Sequence, residues 1–177
     1  MRALDFKCLS LKLNYPHEIT KNQSLSAVKS PTVLTFALKI IFMVKNLEHI
    51  GIAVKDLKTA NELYTSLLGS PPYKAEAVES EHVVTSFFKT GEAKVELLEA
   101  TSPDSAIAKF IEKRGEGIHH LAFEVADIYA EMQRLENEGF TLLNKEPKRG
   151  ADNKLVCFIH PKSANGVLVE LCQEIVP

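Results

Sequence analysis

His49-Ile50-Gly51-Ile52-Ala53-Val54-Lys55-Asp56-Leu57 and His120-Leu121-Ala122-Phe123-Glu124-Val125-Ala126-Asp127-Ile128 follow one pattern twice. Each opens on a histidine, continues as a half-buried strand and runs into an aspartate suited to cap a helix. The offset of 71 residues is too long for a solenoid repeat and fits a duplicated supersecondary module. Both copies also close alike, on Val95-Glu96-Leu97-Leu98 and on Val169-Glu170-Leu171-Cys172. One His and one Glu at equivalent places in two copies make a set of four. A two-fold pseudo-axis can bring such a set to one point.

The residues between these landmarks fill in the modules. Residues 47–54 read as a strand, and Asp56 caps a helix whose apolar positions Leu57, Ala60, Leu63, Tyr64, Leu67 and Leu68 recur at helical spacing. Gly69 ends it, followed by Pro71 and Pro72. Residues 83–89 and 93–99 are strands joined by the turn Thr90-Gly91-Glu92. Ser102-Pro103-Asp104-Ser105 leads into a short helix over residues 106–113, stopped by Gly115 and Gly117. In the second copy a strand over 119–125 is followed by the cap Asp127 and a helix with the stripe Ile128, Met132 and Leu135, ending at Gly139. Strands over 140–143, 155–160 and 166–172 complete it. The expected fold is α+β: two βαβββ modules, about 44–100 and 117–175, form a curved mixed sheet around a shared cleft. Together they make one domain, 44–175.

Composition sets the outer limits. Of 177 residues, 45% are hydrophobic and 25% charged, the balance of a soluble globular chain and not a disordered one. A net charge of −2 with no basic stripe argues against nucleic acid as a partner. Cys8, Cys157 and Cys172 lack CxxC spacing and read as reduced apolar fillers. Residues 1–43 have no repeat partner and are basic, with Arg2, Lys7, Lys12, Lys21, Lys29 and Lys39 against Asp5 and Glu18. Their apolar run, 33–44, is too short to span a bilayer and carries Lys39. Two readings stand: an organelle-targeting presequence, or an extension upstream of a true start at Met43. The second is preferred because the repeat begins almost at once after Met43 and the stretch contains acids and little Arg. The expected location is cytoplasmic, or an organelle matrix if residues 1–42 are a presequence. No chemistry is expected in the extension.

The chemistry is expected from the four matched residues. A lone His in a strand is ordinarily a hydrogen-bonded core residue, and a lone Glu in an apolar strand ordinarily lies on an exposed edge. Neither reading accounts for both recurring in register, and a buried carboxylate needs a positive partner. His49, Glu96, His120 and Glu170 therefore point to one divalent cation. Two imidazoles and two carboxylates suit Co²⁺, expected first, or Mn²⁺, Ni²⁺, Fe²⁺ or Zn²⁺. The two Glu charges balance the ion, and an octahedral ion would keep two positions open for a substrate with two oxygens. By strand alternation His119 is expected to point away from His120.

The arrangement resembles the vicinal oxygen chelate superfamily, and within it the methylmalonyl-CoA epimerases. The resembling stretches are Leu47 to Val54, Val95-Glu96-Leu97-Leu98, Ser102 to Phe110, Gly117 to Val125, Phe158-Ile159-His160-Pro161-Lys162 and Gly166 to Leu171. The ligand quartet is shared with glyoxalase I enzymes. The Ser-Pro-Asp-Ser segment, the paired histidines and the His-Pro-Lys segment are more specific to the epimerases. The resemblance implies interconversion of (R)- and (S)-methylmalonyl-CoA by proton abstraction at C2 through an enolate, an acyl-CoA substrate and a homodimer. It also implies that Glu170, as a metal-bound carboxylate, serves as a proton carrier. Some members carry a further Glu on the strand after the first helix; the matching stretch here is Val83-Val84-Thr85, so that role does not transfer. Glu81 and His82 lie nearby, and alternation does not fix whether either points inward. Lys145, Lys148, Arg149, Lys154 and Lys162 form the cationic group available for coenzyme A phosphates, while His160 reads as structural or as a partner behind a ligand. The alternatives are a glyoxalase I-type lyase, a metal-free binding module of the bleomycin-sequestering kind, and an extradiol dioxygenase. Glyoxalases commonly have an Arg near the end of the first strand, where this chain has Ala53-Val54-Lys55.

Overall fold

Two aspartates at equivalent positions start two helices with nearly the same backbone. Asp56 (φ −142°, ψ 111°) accepts from the Thr59 N–H, and Asp127 (φ −142°, ψ 106°) from the Ala130 N–H. Each satisfies one of the N–H groups that a helix start leaves without a partner. In the computed structural model the described residues are 44–176, so the expectations for residues 1–43 and for Cys8 lie outside them.

Within that range the order is β1 (Val44–Val54), α1 (Leu57–Leu68), β2 (Lys74–Val78), β3 (Val83–Thr90), β4 (Ala93–Ala100) and α2 (Ala106–Arg114). The second series is β5 (Gly117–Val125), α3 (Ile128–Asn137), β6 (Lys148–Arg149), β7 (Lys154–Ile159) and β8 (Leu168–Glu174). All eight strands form one curled mixed sheet in the order β2-β3-β4-β1-β5-β8-β7-β6. Outward from the centre, each half presents its first, fourth, third and second strand. β1 and β5 pair antiparallel at the centre, while β4 and β8 join them in parallel. Gly51 faces Glu96 and Ala122 faces Glu170, so the two halves share one register.

Strand alternation then separates two faces. On one, α1 covers Leu97, Phe88 and Val54, and α3 covers Leu171, Cys157 and Ile159 with its own Ile128, Met132 and Leu135. Fully burying an aliphatic side chain of this kind contributes about 1.5–3 kcal/mol, so these two apolar layers hold the sheet to its helices. The other face carries the alternating residues, His49, Glu96, His120 and Glu170. α2 packs its Ile107 against Ala53, Val83 and Leu98 at one side of that face.

The structure departs from the sequence-based expectation in residues 140–143, in the polar edge strands β2 and β6, and at the centre of the sheet. Residues 140–143 do not form a strand: they make only the single bridge Leu142–Ile159. The Asn144 side chain accepts from the Phe158 N–H (3.1 Å) and so takes the place of a regular ladder. β2 was not expected, because Lys74-Ala75-Glu76-Ala77-Val78 is a polar edge strand with weak alternation. The third departure is the more consequential. Leu47 faces Phe123 and His49 faces Ala122, leaving Glu48 as an extra residue in β1; Gly51 faces His120 and Ile52 faces Ile118, leaving His119 extra in β5. Of the three register shifts between β1 and β5, these two are β-bulges placed immediately before the histidine of each copy. They turn Glu48 and His119 towards the same side as the histidines that follow. His119 therefore does not point away from His120: their rings lie 5.2 Å apart, edge to face.

The centre of the sheet admits little bulk. His120 lies over Gly51, where an added Cβ would come within 2.1 Å of the imidazole Cε1. Gly51→Ala is expected to push His120 out of place. It should lower stability by about 1–3 kcal/mol, as overpacking does, and weaken divalent-cation binding in the same protein. Thermal unfolding and a Co²⁺ titration measure both, and a variant with wild-type values contradicts the close approach.

Candidate metal centre

Four side chains from four strands meet on the concave face. β1 supplies His49, β5 His120, β4 Glu96 and β8 Glu170, each buried to within 6% of full enclosure. His49 Nε2 lies 2.9 Å from His120 Nε2, 3.2 Å from Glu96 Oε2 and 3.9 Å from Glu170 Oε1. His120 Nε2 lies 3.5 Å from Glu96 Oε2 and 3.6 Å from Glu170 Oε2. His49, Glu96 and His120 form the tightest trio, their donor atoms all within 4.8 Å of one another, with Glu170 just outside it. Adjacent donors on one cation, each about 2.1 Å from it, stand roughly 3 Å apart. The donor set fits a divalent ion in spacing and in chemistry. Two imidazole lone pairs 2.9 Å apart also require a proton or a cation between them.

The residues behind these donors differ between the copies. His49 Nδ1 donates to Glu48 Oε2 at 2.5 Å, whereas His120 Nδ1 meets His119 Nδ1 at 3.0 Å. Glu48 also accepts from Lys94 and lies 3.3 Å from Lys154 Nζ. Glu96 accepts from the Thr85 hydroxyl at 2.9 Å. Among the described residues, no donor lies within hydrogen-bond distance of Glu170.

These surroundings set the proton affinities. Burial alone would lower His49, but Glu48 and Glu96 against it outweigh that and hold the imidazole up at about 10. Burial tends to raise Glu48, yet hydrogen bonds from His49 and Lys94 bring it down to about 2. Burial raises Glu96 as well, and the bonds to His120 and His49 more than reverse it, leaving it far below the usual carboxylate range. Glu170, with no such donor, is raised by burial. His119 is pushed down to about 4 by burial and by the neighbouring His120 charge.

The cleft over these groups, about 270 Å³, is lined by Val78, Val83, Leu98, Ile107, Leu143 and Phe158 among others. Glu81 reaches it and pairs with Lys148 across the mouth, while His82 is exposed in a left-handed turn (φ 53°). Of the five expected cations only Lys148 and Lys154 line the cleft. His160 caps a short turn, its Nδ1 accepting from the Lys162 N–H, and takes no part in the site. Cys157 and Cys172 are buried thiols. Sequence reasoning missed Glu48, Thr85, Lys94 and Asp152 as partners of the centre; the pairing of Glu48-His49 with His119-His120 was the available signal.

Residues 48–158 match the Glyoxalase/Bleomycin resistance protein/Dioxygenase superfamily. An ethylmalonyl-CoA/methylmalonyl-CoA epimerase of Cereibacter sphaeroides is 45% identical over 134 residues, 74% of this chain and 99% of that one. The crystal structure of methylmalonyl-CoA epimerase from Mycobacterium tuberculosis is similar at 36% identity and a TM-score of 0.73, covering 76% of this chain and 91% of that one. A methylmalonyl-CoA epimerase in complex with methylmalonyl-CoA and NH4+ is similar at 35% identity and a TM-score of 0.73, covering 75% and 96%. Among the described residues no helix is long and apolar enough to cross a membrane.

In the metal-free centre His49 keeps its proton up to about pH 10, and a cation requires that nitrogen free. Binding near neutrality should therefore release this proton. Affinity for Co²⁺ should rise about tenfold per pH unit between roughly pH 6 and pH 9. Calorimetric titration in buffers of different ionisation enthalpy counts the protons; an affinity independent of pH contradicts the assignment.

Proposed function

We propose, from the premise that this chain belongs to the Glyoxalase/Bleomycin resistance protein/Dioxygenase superfamily, that it is an epimerase interconverting (R)- and (S)-methylmalonyl-CoA. The observation that carries the reading is the 45% identity to an ethylmalonyl-CoA/methylmalonyl-CoA epimerase across nearly that protein's whole length. The buried quartet supports it from the chemical side.

C2 of the substrate lies between a carboxylate and a thioester, and its proton leaves only if the charge of the resulting enolate is spread. His49, Glu96, His120 and Glu170 would hold a divalent cation, which would supply that Lewis acidity, with Co²⁺ expected and Mn²⁺, Ni²⁺, Fe²⁺ or Zn²⁺ as alternatives. The chain's own groups have separate tasks. Thr85 pins one oxygen of Glu96 and leaves the other facing the histidines. Glu170 has no such tether, so its carboxylate is free to turn towards C2 and back. Raised by burial, it is also the stronger base of the two. Glu170 is thus the proton carrier on one face of the enolate, and Glu96 is a fixed ligand. Lys148, which lines the cleft and pairs with Glu81, is the cation assigned in this reading to the anionic coenzyme A portion. A homodimer in the cytoplasm or an organelle matrix completes the reading.

A single epimer incubated with the protein in D₂O should yield the other with deuterium at C2, and a chelator should stop the exchange. Glu170→Gln should lower turnover by about 10²–10⁴-fold, the usual contribution of a general base, while keeping bound metal. Glu96→Gln should cost far less. Equal losses in the two variants contradict the assignment of Glu170. A protein inert towards methylmalonyl-CoA that isomerises the methylglyoxal–glutathione adduct is a glyoxalase I-type lyase instead.

A further inference from the structure

A buried carboxylate beside a metal ligand needs a reason to be there. Glu48 is 5% exposed and sits in a strand whose alternation would have turned it towards the other face of the sheet. The bulge redirects it, at the cost of an unpaired residue in the central ladder. Its two oxygens have separate partners. Oε2 accepts from His49 Nδ1 at 2.5 Å, and Oε1 accepts from Lys94, with Lys154 Nζ at 3.3 Å. Lys94 in turn pairs with Asp152 at 2.7 Å. Asp152 also accepts from Lys74 (3.1 Å) and the Tyr73 hydroxyl (3.3 Å), and its own N–H donates to Glu76. A chain of alternating charges thus runs from His49 to the β6–β7 loop. Buried ion pairs of this kind add little net stability, since desolvation offsets their attraction.

We infer that Glu48 is a positioning residue for the metal centre: it fixes the His49 ring with Nδ1 protonated and Nε2 turned to the cation, and Lys94 and Asp152 hold Glu48 in place. This inference rests on the proposed metal reading. An imidazole that donates its outer N–H to a carboxylate is held in one tautomer and is a stronger ligand. The second copy has the same bulge but places His119 there, so His120 Nδ1 has a ring nitrogen and not an anion as its partner. The two histidines are electrically unequal, and His49 is the stronger donor. The sequence repeat itself holds this asymmetry, one copy reading Glu-His and the other His-His.

The test is a Co²⁺ titration of the full-length, metal-stripped protein, followed by the visible absorption of the bound ion. Glu48→Gln keeps an acceptor but removes the charge, and should weaken binding about 10- to 100-fold. Glu48→Leu should weaken it further, and Asp152→Asn should give a smaller loss, with a fold retained because only the outer end of the chain is changed. In the Zn²⁺-loaded protein the His49 Nδ1 proton resonance should lie downfield in the wild type and move upfield in Glu48→Gln. A change of stability alone would not produce that shift. Wild-type Co²⁺ affinity and an unmoved Nδ1 resonance in Glu48→Gln overturn the role of Glu48 while leaving the metal centre standing. Failure of the wild type to bind Co²⁺ overturns the metal reading, and this inference with it.

Discussion

The antiparallel contact between β1 and β5 is the constraint from which the site follows. It sets His49 opposite Ala122 and His120 opposite Gly51, two imidazoles each facing a residue small enough to leave room. The parallel strands β4 and β8 then bring Glu96 and Glu170 beside them in matching register. None of the four can be placed without the duplication, because each half contributes only one nitrogen and one carboxylate. A cluster of two carboxylates and two imidazoles in an apolar surround is costly unless charge within it is neutralised. The apolar layers under α1 and α3 hold the sheet against that cost, and a divalent cation bound there would remove most of it.

Duplication gives symmetry, yet the two halves of the site are not identical. The difference lies in the residues behind the ligands. Thr85 on β3 donates to Glu96, whereas the corresponding β7 residue, Val156, has no donor to offer Glu170. Thr85 faces Leu98 two places beyond Glu96, and Val156 faces Cys172 two places beyond Glu170, so the comparison is like for like. Glu48 and His119 differ in the same way behind the histidines. Two nearly equal modules thus differ behind their ligands: Glu96 has a hydroxyl donor, and His49 has a carboxylate partner where His120 has an imidazole.

The sequence revealed what depends on periodicity. The repeat, the helix caps at Asp56 and Asp127 and the convergence of the four donors all follow from residue type and spacing, and each appears in the structure. The bulges were not legible, because strand alternation assumes an unbroken ladder, and an inserted residue leaves no mark on hydrophobic pattern. That single assumption misplaced His119 and hid Glu48. Polar edge strands were the other gap: β2 and β6 are held by their neighbours' hydrogen bonds more than by side-chain burial. The Phe140–Leu143 run was apolar enough to suggest a strand, yet Asn144 satisfies the backbone that such a strand would have paired.

The central claim is that one cation is shared by donors from both halves of the chain. Anomalous diffraction at the cobalt edge from crystals of the Co²⁺-loaded protein tests it directly. The account predicts one peak per chain, about 2.1 Å from the Nε2 atoms of His49 and His120 and from a carboxylate oxygen of Glu96 and of Glu170. A peak held by one half alone, or none between the two histidines, would contradict it.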